Sequence, residues 1–306
     1  MIKTKLKINF ENFWPEYQKK DNYFYNLLST KYNVEISADP DLLIFSYDYT
    51  GKRRDRLYDD NKVVKVYYTG ESDAPDFTEC HASITQHFSD NENHFRLPLW
   101  TQYINWFGTR PIVSNRDISY LIEPNSLLNK RFDPDNLLKQ KSNFCNFLYT
   151  QPKGLRLNFM NYFEGYKKID SAGKLYNNMN GTIQGRSDHV FKVLWQDSYK
   201  FTASLENTSV EGYTTEKLIH PMSTLSLPIY WGNPRVGNDF NTESFINVNE
   251  YNSMEEVAEH VKMIDNNNDL YLEYLSKPWF KNRQFPKNVI PSAVLNFFEK
   301  VLDKGC

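Results

Sequence analysis

Residues 199–232, YKFTASLENTSVEGYTTEKLIHPMSTLSLPIYWG, set an amphipathic segment between two apolar β-prone ones, and that order leaves few folds open. Residues 201–205 form a short apolar run. Glu206-Asn207-Thr208-Ser209 breaks it, because small polar side chains compete for the backbone and favour turns. Thr214 or Thr215 is a good N-cap, and Leu218, Met222 and Leu225 fall at i, i+4 and i+7, so the spacing predicts a helix with one buried face. Leu227-Pro228-Ile229-Tyr230-Trp231-Gly232 then reads as a second strand closed by glycine. Sequential strands joined through a helix run parallel, and open parallel sheets bind ligands beyond the carboxyl ends of their strands.

The predicted helix carries Glu216 and Lys217 in its first turn. Unpaired N–H groups, a partial positive charge and the lysine together suit a phosphate-bearing ligand. The same residues also read as a surface helix with an ordinary Glu-Lys pair, and local chemistry does not choose between the two.

The rest of the chain repeats the alternation. Residues 6–10, 41–47 and 63–68 read as strands, 22–28 as a helix, and residues 123–135 as a connection bounded by two turn clusters. Residues 255–266 read as a helix with Val257, Val261 and Ile264 on one face, and 293–302 as a last helix with Val294, Phe297, Phe298 and Val301 as its stripe. A length of 306 residues favours two domains.

Thirty-six Lys and Arg against 38 Asp and Glu leave a net charge of −2, which argues against nucleic acid as the main partner. The aromatic content, 16%, suits either an aromatic-rich core or binding to the apolar faces of sugar rings. Cys80, Cys145 and Cys306 imply no disulfide framework, and the six histidines have no metal-ligand spacing. Asp39-Pro40-Asp41 and Asp133-Pro134-Asp135 have the spacing of a metal-binding DxD, but the intervening proline makes them turns. Neither a dinucleotide fingerprint nor a P-loop occurs. With no signal-peptide h-region and no apolar run of about 18 residues, the chain is expected in the cytoplasm, with peripheral contact at the inner membrane left open.

Glu206-Asn207, Gly212-Tyr213, Thr215-Glu216-Lys217 and Pro228-Ile229-Tyr230-Trp231-Gly232, in that order and spacing, resemble the signature of the α-1,3/1,4-fucosyltransferases, glycosyltransferase family ten. Val66-Tyr67-Tyr68-Thr69-Gly70-Glu71 with Ala74-Pro75-Asp76-Phe77, and then Phe95-Arg96-Leu97-Pro98-Leu99, resemble the family's N-terminal segment. Asn143-Phe144-Cys145-Asn146-Phe147, Arg156, Phe159 and Asp170-Ser171-Ala172-Gly173 with Asn177-Asn178 resemble the start of its donor half. A proline at 221, where family members carry a helix former, predicts a kinked or shortened helix.

The resemblance implies an α/β protein of GT-B type, with two Rossmann-like domains facing a cleft and a C-terminal helix packing back across it. Residues 1–135 would form the acceptor-binding domain and 136–306 the GDP-fucose-binding domain with the final helix. The implied activity is inverting transfer of L-fucose from GDP-β-L-fucose to an N-acetylglucosamine or glucose hydroxyl of a glycan such as a lipopolysaccharide O-antigen. The linkage would be Lewis-type, α-1,3 ahead of α-1,4, and the acceptor N-acetyllactosamine-like. Glu71 would be the catalytic base, Arg156 and Lys217 the cations for the diphosphate, Glu216 a ligand for fucose or ribose hydroxyls, and Asn207 and Tyr213 the rest of the donor site. No metal is required, although Mn²⁺ stimulation is compatible with the scheme. A transferase for another nucleotide sugar and an inactive sugar-binding homologue remain the alternatives.

Overall fold

The structure is a computed structural model describing residues 3–14, 17–47, 62–108, 121–183 and 189–304. Cys306 lies outside them. Two compact units make up the chain, Met1–Ile118 with Pro286–Cys306, and Ser119–Phe285. The expected cut at 135/136 therefore falls within the second unit, inside a helix, and the final helix groups with the first unit.

In the first unit, β1 (Lys5–Glu11), β2 (Asn33–Ile36), β3 (Leu42–Phe45), β4 (Val64–Tyr68), β5 (Ala82–Thr85) and β6 (His94–Arg96) form a wholly parallel sheet in the order β2-β1-β3-β4-β5-β6. Helix α1 (Tyr23–Lys31) connects β1 to β2; Asn22 caps it, its side chain accepting from the Tyr25 amide. Side chains alternate across the sheet, as a period of two requires. Ile8, Phe10, Ile44, Val66 and Ile84 enter one core with Phe24, Leu27 and Leu28 of α1, whereas Leu43, Phe45, Val63 and Tyr67 cluster separately.

The last helix (Pro291–Lys304, α8 below) completes that larger core through the predicted stripe of Val294, Phe297, Phe298 and Val301. Phe298 meets Phe24 at 5.9 Å and Phe297 meets Phe95 at 5.3 Å, between ring centres. Four buried apolar side chains contribute about 6–12 kcal/mol gross at roughly 1.5–3 kcal/mol each. That term, and not the exposed Lys31–Glu299 pair, fixes the helix to this unit.

The second unit begins with α2 (Pro124–Leu128) and α3 (Pro134–Gln140). The two segments expected as turns are thus helix starts: each proline sits where a missing N–H costs nothing, and Asp133 caps α3 by accepting from the Asn136 amide. Asp41, of the other Asp-Pro-Asp segment, accepts from the Lys7 amide at 2.8 Å.

β7 (Asn143–Phe147), β8 (Ile169–Ser171), β9 (Tyr199–Leu205), β10 (Leu227–Trp231) and β11 (Ile246–Asn247) form a second parallel sheet, in the order β11-β10-β9-β7-β8. Helix α4 (His189–Gln196) precedes β9, and α5 (Glu216–Ser223) connects β9 to β10, with Phe201 opposite Leu227 and Leu205 opposite Trp231. Helices α6 (Met254–Asp265) and α7 (Asn268–Ser276) follow, α6 burying Val257, Val261 and Ile264.

Leu225, predicted on the buried face of α5, lies beyond its end with a left-handed φ of 56°. The helix closes through Leu225 N–H to the Met222 carbonyl and Ser226 N–H to the Pro221 carbonyl. Pro221 therefore sits in a last turn where its carbonyl is used, and α5 is only 8 residues long.

Candidate active site

From β7 the chain runs out to β8 on one side, then returns to β9 on the other, so the second sheet reverses direction between β7 and β9. In open α/β sheets the crevice at such a reversal is where ligands bind. Tyr149 follows β7 there, and Glu206 and Asn207 follow β9.

Glu206 is fully buried. Its carboxylate accepts from the Thr215 amide at 2.7 Å and from the Thr215 hydroxyl, tying the end of β9 to the N-cap of α5. The adjacent Gly232 is required by this packing: a Cβ there would lie 2.4 Å from Glu206 Cγ. Lys217 Nζ donates to Thr215 Oγ1 at 2.9 Å and stands 3.4 Å from carboxylate oxygens of both Glu206 and Glu216. Lys192 of α4 reaches the same Glu216 oxygen, Oε1, at 3.6 Å.

Burial pushes the Glu206 carboxyl above its usual range, against the pull of Lys217. Burial alone would lower Lys217, but Glu216 and Glu206 outweigh it and hold the ammonium well above the ordinary lysine value. Lys192 is lowered, burial exceeding the effect of Glu216. Lys192, Lys217, Tyr149, Gln196 and Thr202 face one small void of about 10 Å³.

Arg156 is 2% exposed, in a short turn after β7. Its Nε and Nη2 donate to the carbonyl of Leu205, the last residue of β9, at 3.2 and 2.7 Å, and the guanidinium lies 4.0 Å from the Tyr149 ring centre. Tyr149 is pinned by its hydroxyl, which donates to the Ala203 carbonyl and accepts from the Leu205 amide. Its backbone is backed by Gly173, where a Cβ would come within 2.2 Å of the Tyr149 carbonyl oxygen.

Asn207 Nδ2 points to the buried Tyr213 hydroxyl at 3.5 Å. The loop that presents Tyr213 is organised by fully buried Asn233, which accepts from the Gly212 amide and donates to Thr214 Oγ1.

Five of the six expected residues, Arg156, Asn207, Tyr213, Glu216 and Lys217, thus belong to the carboxyl edge of the second sheet. Glu71 belongs to the first unit, in the exposed loop after β4, its amide donating to Thr69 Oγ1 at 3.1 Å. Gln86 holds that loop by donating to the Gly70 carbonyl while accepting from the Leu99 amide.

Sequence reasoning gave no role to Glu206, Lys192, Tyr149 or Asn233. A carboxylate directly after an apolar strand, and a lysine inside the apolar segment HVFKVLWQ, are the signals that mark the first two. A wider concavity of about 550 Å³ opens at the other, amino end of β8, beside Tyr166, Lys167 and Lys168, and contains none of these residues. Among the described residues no group of His, Cys, Asp or Glu is placed to hold a metal ion, and no helix is long and apolar enough to cross a membrane.

Residues 138–293 match the family model "Glycosyltransferase family 10 (fucosyltransferase) C-term", and residues 8–103 match "Alpha-(1,3)-fucosyltransferase FucT N-terminal domain". Alpha-(1,3)-fucosyltransferase FucT of Helicobacter pylori is 25% identical over 326 residues, covering 97% of this chain and 66% of the relative. GDP-fucose protein O-fucosyltransferase 3 of Xenopus tropicalis is 27% identical over 206 residues, 65% of this chain and 41% of the relative. The chain spans 66% or less of the length of these relatives. A crystal structure of an α1,3-fucosyltransferase with GDP-fucose aligns at TM-score 0.75 and 23% identity, over 99% of this chain and 92% of that one. The fold is therefore of the GT-B type, two parallel-sheet α/β units. Because the first family model spans more than half of the sequence and includes every candidate residue of the second unit, the chain belongs to glycosyltransferase family 10, the fucosyltransferases.

Proposed function

We propose that this chain transfers L-fucose from GDP-β-L-fucose, with inversion, to the hydroxyl of an N-acetylglucosamine or glucose unit in a glycan, forming an α-1,3 linkage. The observation that carries the reading is Arg156. Its guanidinium stands at the reversal of the second sheet, contacts a carbonyl and an aromatic ring, and pairs with no carboxylate among the described residues. By contrast, Lys192 and Lys217 are offset by Glu206 and Glu216. Of these three cations, Arg156 is the one with no carboxylate partner among the described residues.

In this scheme Arg156 grips the diphosphate through its remaining N–H donors, which suit the paired oxygens of a phosphate. Lys217 adds a point charge and keeps Glu216 oriented toward fucose or ribose hydroxyls, while Asn207 and Tyr213 complete the donor site. The acceptor oxygen bonds to C1 of fucose as the C1–O bond to GDP breaks, and Glu71 takes the acceptor's proton. Charge on the departing GDP is met by Arg156, Lys217 and backbone N–H groups, so the chemistry does not require a divalent ion.

Thermal melting tests the donor. GDP and GDP-fucose at about one hundred times their Kd should stabilise the protein by about 2.7 kcal/mol, roughly 5–11 °C at 2–4 °C per kcal/mol. UDP-galactose should not. Equal protection by UDP-galactose would transfer the assignment to a different nucleotide sugar.

A further inference from the structure

We infer that His87 is a positioning residue for the catalytic base: with Gln86 it grips the carbonyls of the two residues on either side of Glu71, fixing the backbone that aims the carboxylate. The inference rests on the assignment of Glu71 as the base.

β4 and β5 are parallel neighbours, with Tyr68 opposite Ile84, so the segments that leave them run side by side at the carboxyl edge of the first sheet. Thr69-Gly70-Glu71-Ser72 leaves β4, and Gln86-His87 leaves β5. Gln86 Nε2 donates to the Gly70 carbonyl at 2.5 Å, and His87 Nε2 lies 2.9 Å from the Ser72 carbonyl oxygen. A carbonyl only accepts, so His87 carries its proton on Nε2. The peptide that enters Glu71 is held at both ends, because the Glu71 amide donates to Thr69 Oγ1.

The residues that grip the loop are themselves braced. The His87 amide donates to Thr85 Oγ1 at 3.2 Å, and that hydroxyl is tied to His94 Nε2 at 2.9 Å. Gln86 accepts from the Leu99 amide through its side chain and from Arg96 Nε through its carbonyl, each at 3.1 Å. Thr85 and Gln86 are fully buried. Gly70 fits the loop closely against its support: a Cβ there would lie 3.0 Å from the Tyr68 hydroxyl and 3.1 Å from Leu99 Cδ1.

The side chain that the loop carries is left open. Glu71 is exposed, and among the described residues no hydrogen bond or ion pair holds its carboxylate. A fixed backbone beneath a free carboxylate suits a general base, which must stand within hydrogen-bond reach of the proton it takes. A displacement of about 1 Å can cost about a hundredfold in rate. Gln86 also secures Leu99, so its loss would disturb more than the base. His87 is half-buried and its ring makes this one hydrogen bond among the described residues, which makes it the position that isolates the effect.

Steady-state kinetics of the full chain with GDP-fucose and N-acetyllactosamine, beside melting curves, test this. His87→Ala, and His87→Met, which fills similar space without an N–H, should each lower kcat at least about tenfold. The KM for GDP-fucose should stay within about twofold, because the donor residues belong to the other unit. Melting temperatures should stay near wild type. His87→Gln returns an N–H donor at a similar reach and should recover most of the rate. In a Glu71→Gln background, His87→Ala should slow the residual transfer little further, since residues that act as one unit do not lose rate additively. Undiminished kcat in both His87→Ala and His87→Met, an equal fold-loss with and without Glu71, or a His87→Gln variant as slow as His87→Ala would overturn the positioning role. Glu71→Gln alone reports on the base: retention of more than about a tenth of wild-type turnover removes Glu71 and the inference with it. A large loss there with normal rates in the His87 variants sinks only the positioning. A wild-type chain that transfers nothing to N-acetyllactosamine, N-acetylglucosamine or lactose sinks the proposed activity, and the inference with it.

Discussion

Replacing Lys217 by alanine should destabilise the protein in a way that depends on pH, because the lysine compensates a carboxylate with no access to water. Lys217 Nζ lies 3.4 Å from Glu206 Oε2, and Glu206 is fully buried. Removing one partner of a buried pair strands the other charge and costs about 3–5 kcal/mol, which lowers the melting temperature by roughly 6–20 °C at 2–4 °C per kcal/mol. Burial already raises the Glu206 carboxyl against the pull of Lys217, so in the variant it rises further. The folded variant then keeps a proton that the unfolded chain, titrating near about pH 4.3, has released. Its stability therefore declines as pH rises from that value to the raised folded value and levels off above it. Calorimetric melts of wild type and Lys217→Ala should show the smallest deficit near about pH 5 and the largest near about pH 8. Adding Glu206→Gln should recover much of the loss, since an amide oxygen still accepts from the Thr215 amide. A deficit below about 1 kcal/mol, the scale of an exposed pair, or one that is flat with pH, would refute compensation of Glu206 and leave Lys217 a ligand-binding residue alone.

Arg156→Ala should weaken GDP-fucose binding and slow transfer together, by roughly ten- to a hundredfold for the loss of a charged hydrogen-bonding group worth about 1.5–3 kcal/mol; calorimetry that finds unaltered GDP affinity would exclude a diphosphate contact. Glu71→Gln should lower turnover by about 10²–10⁴ with GDP affinity unchanged, and a variant retaining more than about a tenth of wild-type turnover would move the base elsewhere. Transfer should persist in excess EDTA. Complete loss there, with recovery in Mn²⁺, would contradict the metal-independent scheme.

Much of the second unit was legible because its signals are local. The breaker at 206–209, the N-cap at Thr215 and the strand ending at Gly232 each depend on a few neighbouring residues, and β9, α5 and β10 follow them. The stripe of α8 was legible for the same reason, but not the unit that it completes, since a stripe does not identify its partner surface. In the sequence Pro124 and Pro134 read as turns because a proline with Asn, Asp or Ser opens a turn and a helix alike. The i, i+4, i+7 spacing carries the helix two residues too far, to Leu225, because its left-handed backbone depends on where α5 stops and has no periodic signature.

The site divides along the same line. Arg156 and Lys217 could be named from motif spacing, yet their difference could not: one is offset by two carboxylates, and the other faces a carbonyl and a ring. That difference is produced by Glu206 and Glu216, contributed by the segment after β9 and by the first turn of α5, which flank Lys217 only once Glu206 packs on the N-cap of α5. Strand order was equally hidden, because β1 pairs with β3 and β7 with β9, pairings that skip a strand. Yet it is strand order that singles out the segments after β1 and β3, and after β7 and β9, from all the strand ends in the chain. In the second unit those segments carry Tyr149, after β7, and Glu206 and Asn207, after β9, of which the motifs mark only the last two. One rule for placing ligands thus reads both sheets, and in the second it gathers at a single reversal residues that stand far apart in the sequence, which is why local signals could name some of them but not assemble them.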